Sequence, residues 1–176
     1  MARFVIDRTQ SKVWIEARSS VHPIHSESDA LAGWIDADVA DGRIDAAGAT
    51  AEITLPLDRL TSGNPLNDRE MRRRVDARRH PTIDGRLTAL ATRQAGAAEE
   101  SGNGIYTATG ELTFHGVTRP VAGDIRLSVQ GDGAIRIEGE QTFDIREFGV
   151  EPPKILMLRV YPDVKVRIDV VAVREA

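Results

Sequence analysis

The amino-acid sequence predicts an all-β protein of about eight antiparallel strands, closed into one barrel, with a short helical insert at about 66–79. Three observations carry this. Apolar residues recur with a period of two through most of the chain, the spacing of strands with one face on a core. Turn chemistry separates these runs at regular intervals, which suggests a sandwich or a barrel. Only residues 58–81 lack that period and carry helix signals instead. An open sheet of this length would leave two long edges that invite aggregation, so closure is favoured.

The clearest element is a hairpin. Tyr106, Ala108, Leu112 and Phe114 share one parity, and Val121, Ile125, Leu127 and Val129 share the next. Between the two runs, residues 115–120 read His-Gly-Val-Thr-Arg-Pro. Gly116 permits backbone geometry closed to other residues, and Pro120 cannot donate to a ladder.

The remaining strands follow in order. Val13, Ile15 and Ala17 alternate with polar residues and Trp14. Residues 19–29 are polar, irregular and interrupted by Pro23, which predicts a loop or a ragged strand end. Leu31, Gly33, Ile35, Ala37 and Val39 give a strand, and Asp41-Gly42 a turn. Ile53, Leu55 and Leu57 give another.

In the insert, Asn67 or Asp68 is a candidate helix cap, and Met71 and Val75 form a narrow apolar stripe. Asp68 precedes Arg72, and Glu70 precedes Arg74, in the favourable order for helix ion pairs. Pro81 closes the insert. Ile83, Leu87 and Ala89 resume the alternation, and residues 95–103 predict a flexible hairpin tip. Ile135 and Ile137 lead into residues 141–149, and the prolines at 152 and 153 make a rigid corner. Val164, Val166, Ile168 and Val170 form a long closing strand.

The 176 residues suit one domain, 1–176, and 41% apolar content is enough for a sizeable core. No run is long enough to span a bilayer as a helix, so no transmembrane segment is expected. Cysteine is absent, which excludes disulfides and thiolate chemistry. With a strand pattern starting at the first residues and no secretory signal in view, the expected location is cytoplasmic. A net charge of −4 argues against nucleic acid as a partner.

The chain resembles the YceI-like family, whose members look like polyisoprenoid-binding proteins. The match is distributed over Ile6-Asp7 with residues 11–13 (Ser-Lys-Val), residues 60–64 (Leu-Thr-Ser-Gly-Asn) before Asp68-Arg69, and residues 80–83 (His-Pro-Thr-Ile). It continues through residues 110–113 (Gly-Glu-Leu-Thr), 114–121 (Phe-His-Gly-Val-Thr-Arg-Pro-Val) and 143–150 (Phe-Asp-Ile-Arg-Glu-Phe-Gly-Val). The resemblance implies an extended lipocalin-like barrel. It also implies a long apolar interior that takes up an isoprenoid lipid, such as an isoprenoid quinone or a polyprenyl phosphate. Many family members carry a secretory signal. Residues 19–25 also depart from the smoother second strand expected of the family.

The candidate ligand-binding residues are Val13, Ile15, Ile53, Leu55, Leu112, Phe114, Ile125, Leu127, Phe143 and Val166 on the walls, with His115 and Arg146 near a head group. Alternation alone does not say which face points inward, nor separate a channel from a filled core. His115 equally suits a pin for its turn, and Arg146 a structural ion pair. The arginines at 69, 72, 73, 74, 78 and 79 read as a solvated helix face, with an anion-holding patch as the other reading. His22 and His25, with Glu27 or Asp29 nearby, lack helical metal-motif spacing, so neither a metal nor another cofactor is expected. No nucleophile motif appears, so no catalytic residue is assigned and the reading is non-enzymatic binding, transport or storage. Two rivals stay open. One is an enzyme using His115 with Arg146 or a carboxylate on an isoprenoid or quinone head group. The other is a stress-response or protein-interaction module with a filled barrel, acting as a homodimer through an apolar patch near the insert or residues 151–157.

Overall fold

The structure, a computed structural model, describes residues 1–94, 103–152, 154–155 and 157–176. Most of the segment expected to form a hairpin tip, 95–102, and Pro153 of the expected corner lie outside the described residues. The strands are β1 (Ala2–Ile6), β2 (Lys12–Ser19), β3 (Ile24–Ser28), β4 (Ala32–Ala40), β5 (Arg43–Pro56), β6 (Thr82–Gln94), β7 (Asn103–Phe114), β8 (Val117–Val129), β9 (Ile135–Asp144), β10 (Lys154–Ile155) and β11 (Leu158–Arg174). The one α-helix among the described residues is α1 (Pro65–Arg74).

All pairings are antiparallel. A ring runs β1-β4-β5-β6-β7-β8-β9-β11 and closes where β11 returns to β1 through Phe4↔Arg174 and Ile6↔Ala172. The expected eight-stranded barrel is therefore present. Its first two staves are each broken in two: β1 and β2 lie end to end along β11, and β4 and β3 continue the next stave beside them.

The first break leaves the backbone of Val171 between two ladders. The chain repairs it locally. Asp7 N donates to Val171 O at 2.8 Å, Val171 N donates to Ser11 Oγ at 3.0 Å, and Ser11 Oγ donates to Asp7 O at 2.7 Å. Ser11 is 4% exposed, so a hydroxyl supplies what the interrupted strand cannot.

Where a loop or a ragged strand end was expected across 19–29, the structure has a strand, β3. Its ladder with β2 runs from Val13↔Ser28 to Ala17↔Ile24. Alternation was hidden because Ser26 and Ser28 share the parity of Ile24. The helix also starts earlier than expected. Asn64 is its cap, accepting from Leu66 N at 3.0 Å, and Pro65 occupies the first turn, where a missing N–H costs nothing. Asp68 is instead buried and accepts from Ser62 N at 2.9 Å, Ser62 Oγ at 2.6 Å and Thr61 Oγ1 at 3.1 Å. It is therefore not free to hold Arg72. The helix stops at Arg74, and turns carry the chain to 79, with Asp76 in the left-handed region (φ 51°).

Both chain termini and the Asp41-Gly42 turn mark one end of the barrel. The other end carries α1, the His115-Gly116 turn and a short 3-10 segment, Ile145–Phe148. Each end is packed. Phe4, Tyr106, Leu127, Ile135 and Ala172 fill the terminal end. Leu57, Val75 and Val150 pack with Met71, Phe114 and Ile145 at the helical end.

Ser11→Ala should lower stability by about 1–3 kcal/mol, the cost of a buried backbone N–H left without an acceptor. Urea denaturation is the check, and an unchanged midpoint would mean that Ser11 is not what repairs the break.

Candidate functional site

Between the packed ends lies a cavity of about 480 Å³. This falls within the roughly 300–1,000 Å³ typical of small-molecule sites. The cavity is lined by the inward parity of β2, β5, β7, β8, β9 and β11. Val13, Ile15, Ile53, Leu55, Leu112, Phe114, Ile125, Leu127, Phe143 and Val166 all line it. The structure thus settles which face of each strand points inward. Several of these residues, among them Ile15, Ile53, Leu112 and Phe143, stay only half-buried although they point into the barrel. Ile15 and Ile53 do so while packing against a central cluster of Ile6, Val13, Leu31, Leu55 and Val170.

The void has a compositional cause. Ala17, Ala51, Gly85, Ala108 and Gly139 also point inward and line it. Eight strands set a barrel diameter that large side chains would fill, and Ala17, Ala51 and Ala108 carry none, whereas Gly85 and Gly139 seat Ile53 and Ile125, which a Cβ there would meet at 2.9 Å and 3.1 Å. Alternation in the sequence places Ala17 and Ala108 on the same parity as the large residues, but none of the five was among the expected wall positions. The signal was there as small residues on the same parity. Ile24 and Ser26 of β3 also line the cavity and were missed with that strand.

His115 and Arg146 do not line it. His115 occupies the first turn position with φ 54°, followed by Gly116 at φ 73°, a pair that matches strand twist in a two-residue hairpin. His115 Nδ1 lies 3.0 Å from Phe148 O, and the ring meets His80 edge-on at 5.6 Å between centroids. Arg146 forms a fork on Asp144, with Nη2 at 2.7 Å from Oδ2 and Nε at 3.0 Å from Oδ1. Those hydrogen bonds hold the Asp144 carboxyl below its ordinary range. The two side chains have separate partners and do not converge.

The basic insert sits at the helical end. Glu70 accepts from Arg73 and Arg74 at 3.1 Å each, which lowers its pKa. Asp68, Met71 and Arg74 reach the cavity lining, while the buried Arg72 Nε has no hydrogen-bond partner among the described residues. Near this end, Val21, Leu66 and Met157 are exposed apolar residues. His22 Nδ1 lies 3.0 Å from Pro23 O, and His25 Nδ1 lies 3.3 Å from Glu16 Oε2. Among the described residues no three His, Asp or Glu side chains are grouped to hold a metal. No helix is long and apolar enough to cross a membrane, again among the described residues.

Comparison with known proteins adds the following. No curated protein matches the chain. BcnA of Burkholderia cenocepacia superposes with a TM-score of 0.76 at 19% identity, covering 94% of this chain and 98% of that one. A polyisoprenoid binding domain from Saccharophagus degradans, implicated in plant cell wall breakdown, gives 0.75 at 12% identity, covering 99% and 100%. The YCEI protein of Campylobacter jejuni gives 0.65 at 15% identity, covering 87% and 85%. At such identities these likenesses speak to the fold. The family match rests on sequence and spans residues 4–172, nearly the whole chain, so the chain belongs to the family of YceI-like domains.

Proposed function

We propose that this protein binds an isoprenoid lipid inside its barrel and carries or stores it without chemical change. One observation carries the reading: a void of about 480 Å³, walled by aliphatic and aromatic side chains, inside a barrel packed at both ends. An empty apolar void forfeits dispersion contacts, and an apolar ligand restores them. Each CH₂ buried is worth about 0.8 kcal/mol.

A branched hydrocarbon chain suits walls of Ile, Leu and Val. The polyisoprenoid binding domain from Saccharophagus degradans supports the same class of ligand through its shared fold. An isoprenoid quinone or a polyprenyl phosphate both provide such a chain. Binding is favoured over chemistry because His115 is engaged by Phe148 O and Arg146 by Asp144, both outside the cavity lining.

Protein purified without detergent and extracted with organic solvent should release an isoprenoid, seen by mass spectrometry. Ala108→Phe, which places a ring in the void, should cut occupancy about tenfold or more while the fold persists. An extract free of apolar molecules, or an unaffected Ala108→Phe variant, would contradict the reading. The void should also make truncation costs unequal. Leu127, 5% exposed where the cavity wall merges into the packed terminal cluster, should lose about 4 kcal/mol on change to alanine, and Leu112, half-buried on the same wall, about 2 kcal/mol. Chemical denaturation of the two variants measures the difference, and equal losses would mean that Leu112 is packed as tightly as Leu127.

A further inference from the structure

The barrel wall is unzipped along two seams: the β5–β6 ladder stops at Ala51↔Leu87, where Ile44, Ala49 and Leu90 belong to the packed terminal cluster, and the other seam lies beside the void. β8 and β9 pair only from Ile125↔Gly139 to Val129↔Ile135. Both strands continue past that point toward the helical end, β8 through 117–124 and β9 through 140–144. Their other edges stay fully engaged there: β8 pairs with β7 down to Phe114↔Val117, and β9 with β11 down to Asp144↔Asp163. Two strands that are each ordered on one side therefore part from each other on the shared side.

The sequence keeps them apart. Gln141 Nε2 donates to Ala122 O at 3.3 Å, which shows that Ala122 turns its backbone polar groups toward β9. Backbone groups alternate sides along a strand, so Pro120, two residues away, faces the same gap and has no N–H to offer. Gly123 makes room for the glutamine: a Cβ there would lie 2.8 Å from Gln141 Oε1. Beyond its far end the gap has a second tie, where Arg119 Nε donates to Glu147 O at 3.0 Å.

The gap opens into the void. Val121, Ala122 and Gly123 on one side, and Glu140 and Gln141 on the other, all line the cavity. The two ends of the barrel, by contrast, are packed.

We propose that the ligand passes sideways through the barrel wall, between β8 and β9, with Gln141 as the latch. The proposal rests on the reading that the void holds an isoprenoid. A seam with no ladder to break lets a long chain slip in without unfolding either strand. The Gln141 amide must release Ala122 O and swing aside for it to do so. Unpaired backbone groups along both edges then stand ready for the polar end of the ligand.

The test uses all-trans-retinol, a fluorescent isoprenoid, as the probe. The chain has no cysteine, so Gly123→Cys/Gln141→Cys carries a single thiol pair. Bridging that pair with a short bis-thiol reagent, verified by mass, pins the seam. Uptake by stopped-flow fluorescence should slow about tenfold or more relative to the unbridged variant, and protein loaded before bridging should retain its probe. In the otherwise native chain, Gln141→Ala should speed uptake and release about fivefold, the worth of one hydrogen bond. Unchanged rates in the bridged protein would overturn the proposal and place the way in elsewhere, between β3 and α1. Failure of the unbridged protein to bind retinol at all would instead defeat the lipid reading, and the passage with it.

Discussion

The return of β11 onto β1 is the constraint on which the rest depends. One strand of 17 residues pairs with β9 on one side and with β1 and β2 in succession on the other. Closure removes the two edges that a sheet of this length would otherwise expose. It also fixes the interior diameter by hydrogen bonding rather than by side-chain packing. A barrel closed this way does not collapse when its inward residues are too small. Ala17, Ala51 and Ala108 exploit that, and the result is a void rather than a tighter core. The break between β1 and β2 threatens the same closure, and Ser11 with Asp7 makes it good at Val171.

The same logic explains where the polar side chains sit. Polar side chains with strong partners sit on the outer face or at the helical end, and they hold loops in place. Arg146 braces Asp144, His115 anchors its turn to Phe148 O, and Asp68 gathers Ser62 and Thr61 beneath α1. Outside the barrel, Arg3 stacks over Trp34 at 4.2 Å and Arg167 over Trp14 at 4.1 Å, which covers the large rings on the outer wall. The middle of the barrel is walled mostly by apolar groups, beside the open seam between β8 and β9.

Much of this was legible in the residues. Period-two alternation placed β2 and most of β4 to β9, and the ten large apolar positions picked out by parity all line the cavity. The insert was recognisable by its lost alternation. What stayed hidden has physical reasons. Serines at inward positions disguised β3. Asn64 and Asp68 exchanged the expected capping role, because Pro65 suits the first turn and Asp68 serves the loop before it. Parity cannot tell the inner face from the outer, since both strand faces carry apolar residues here. The seam was marked by Pro120 and Gly123, yet a proline in a strand reads as a local defect until its neighbour on the other side is known.

The void itself is the central claim, and xenon tests it most directly. Xenon enters dry apolar cavities and scatters strongly. Crystals pressurised with the gas should show xenon between Leu112, Ile125 and Phe143, away from the packed cluster around Phe4 and Ile135. An interior with no xenon and no other density, its lining side chains in mutual contact, would contradict the account.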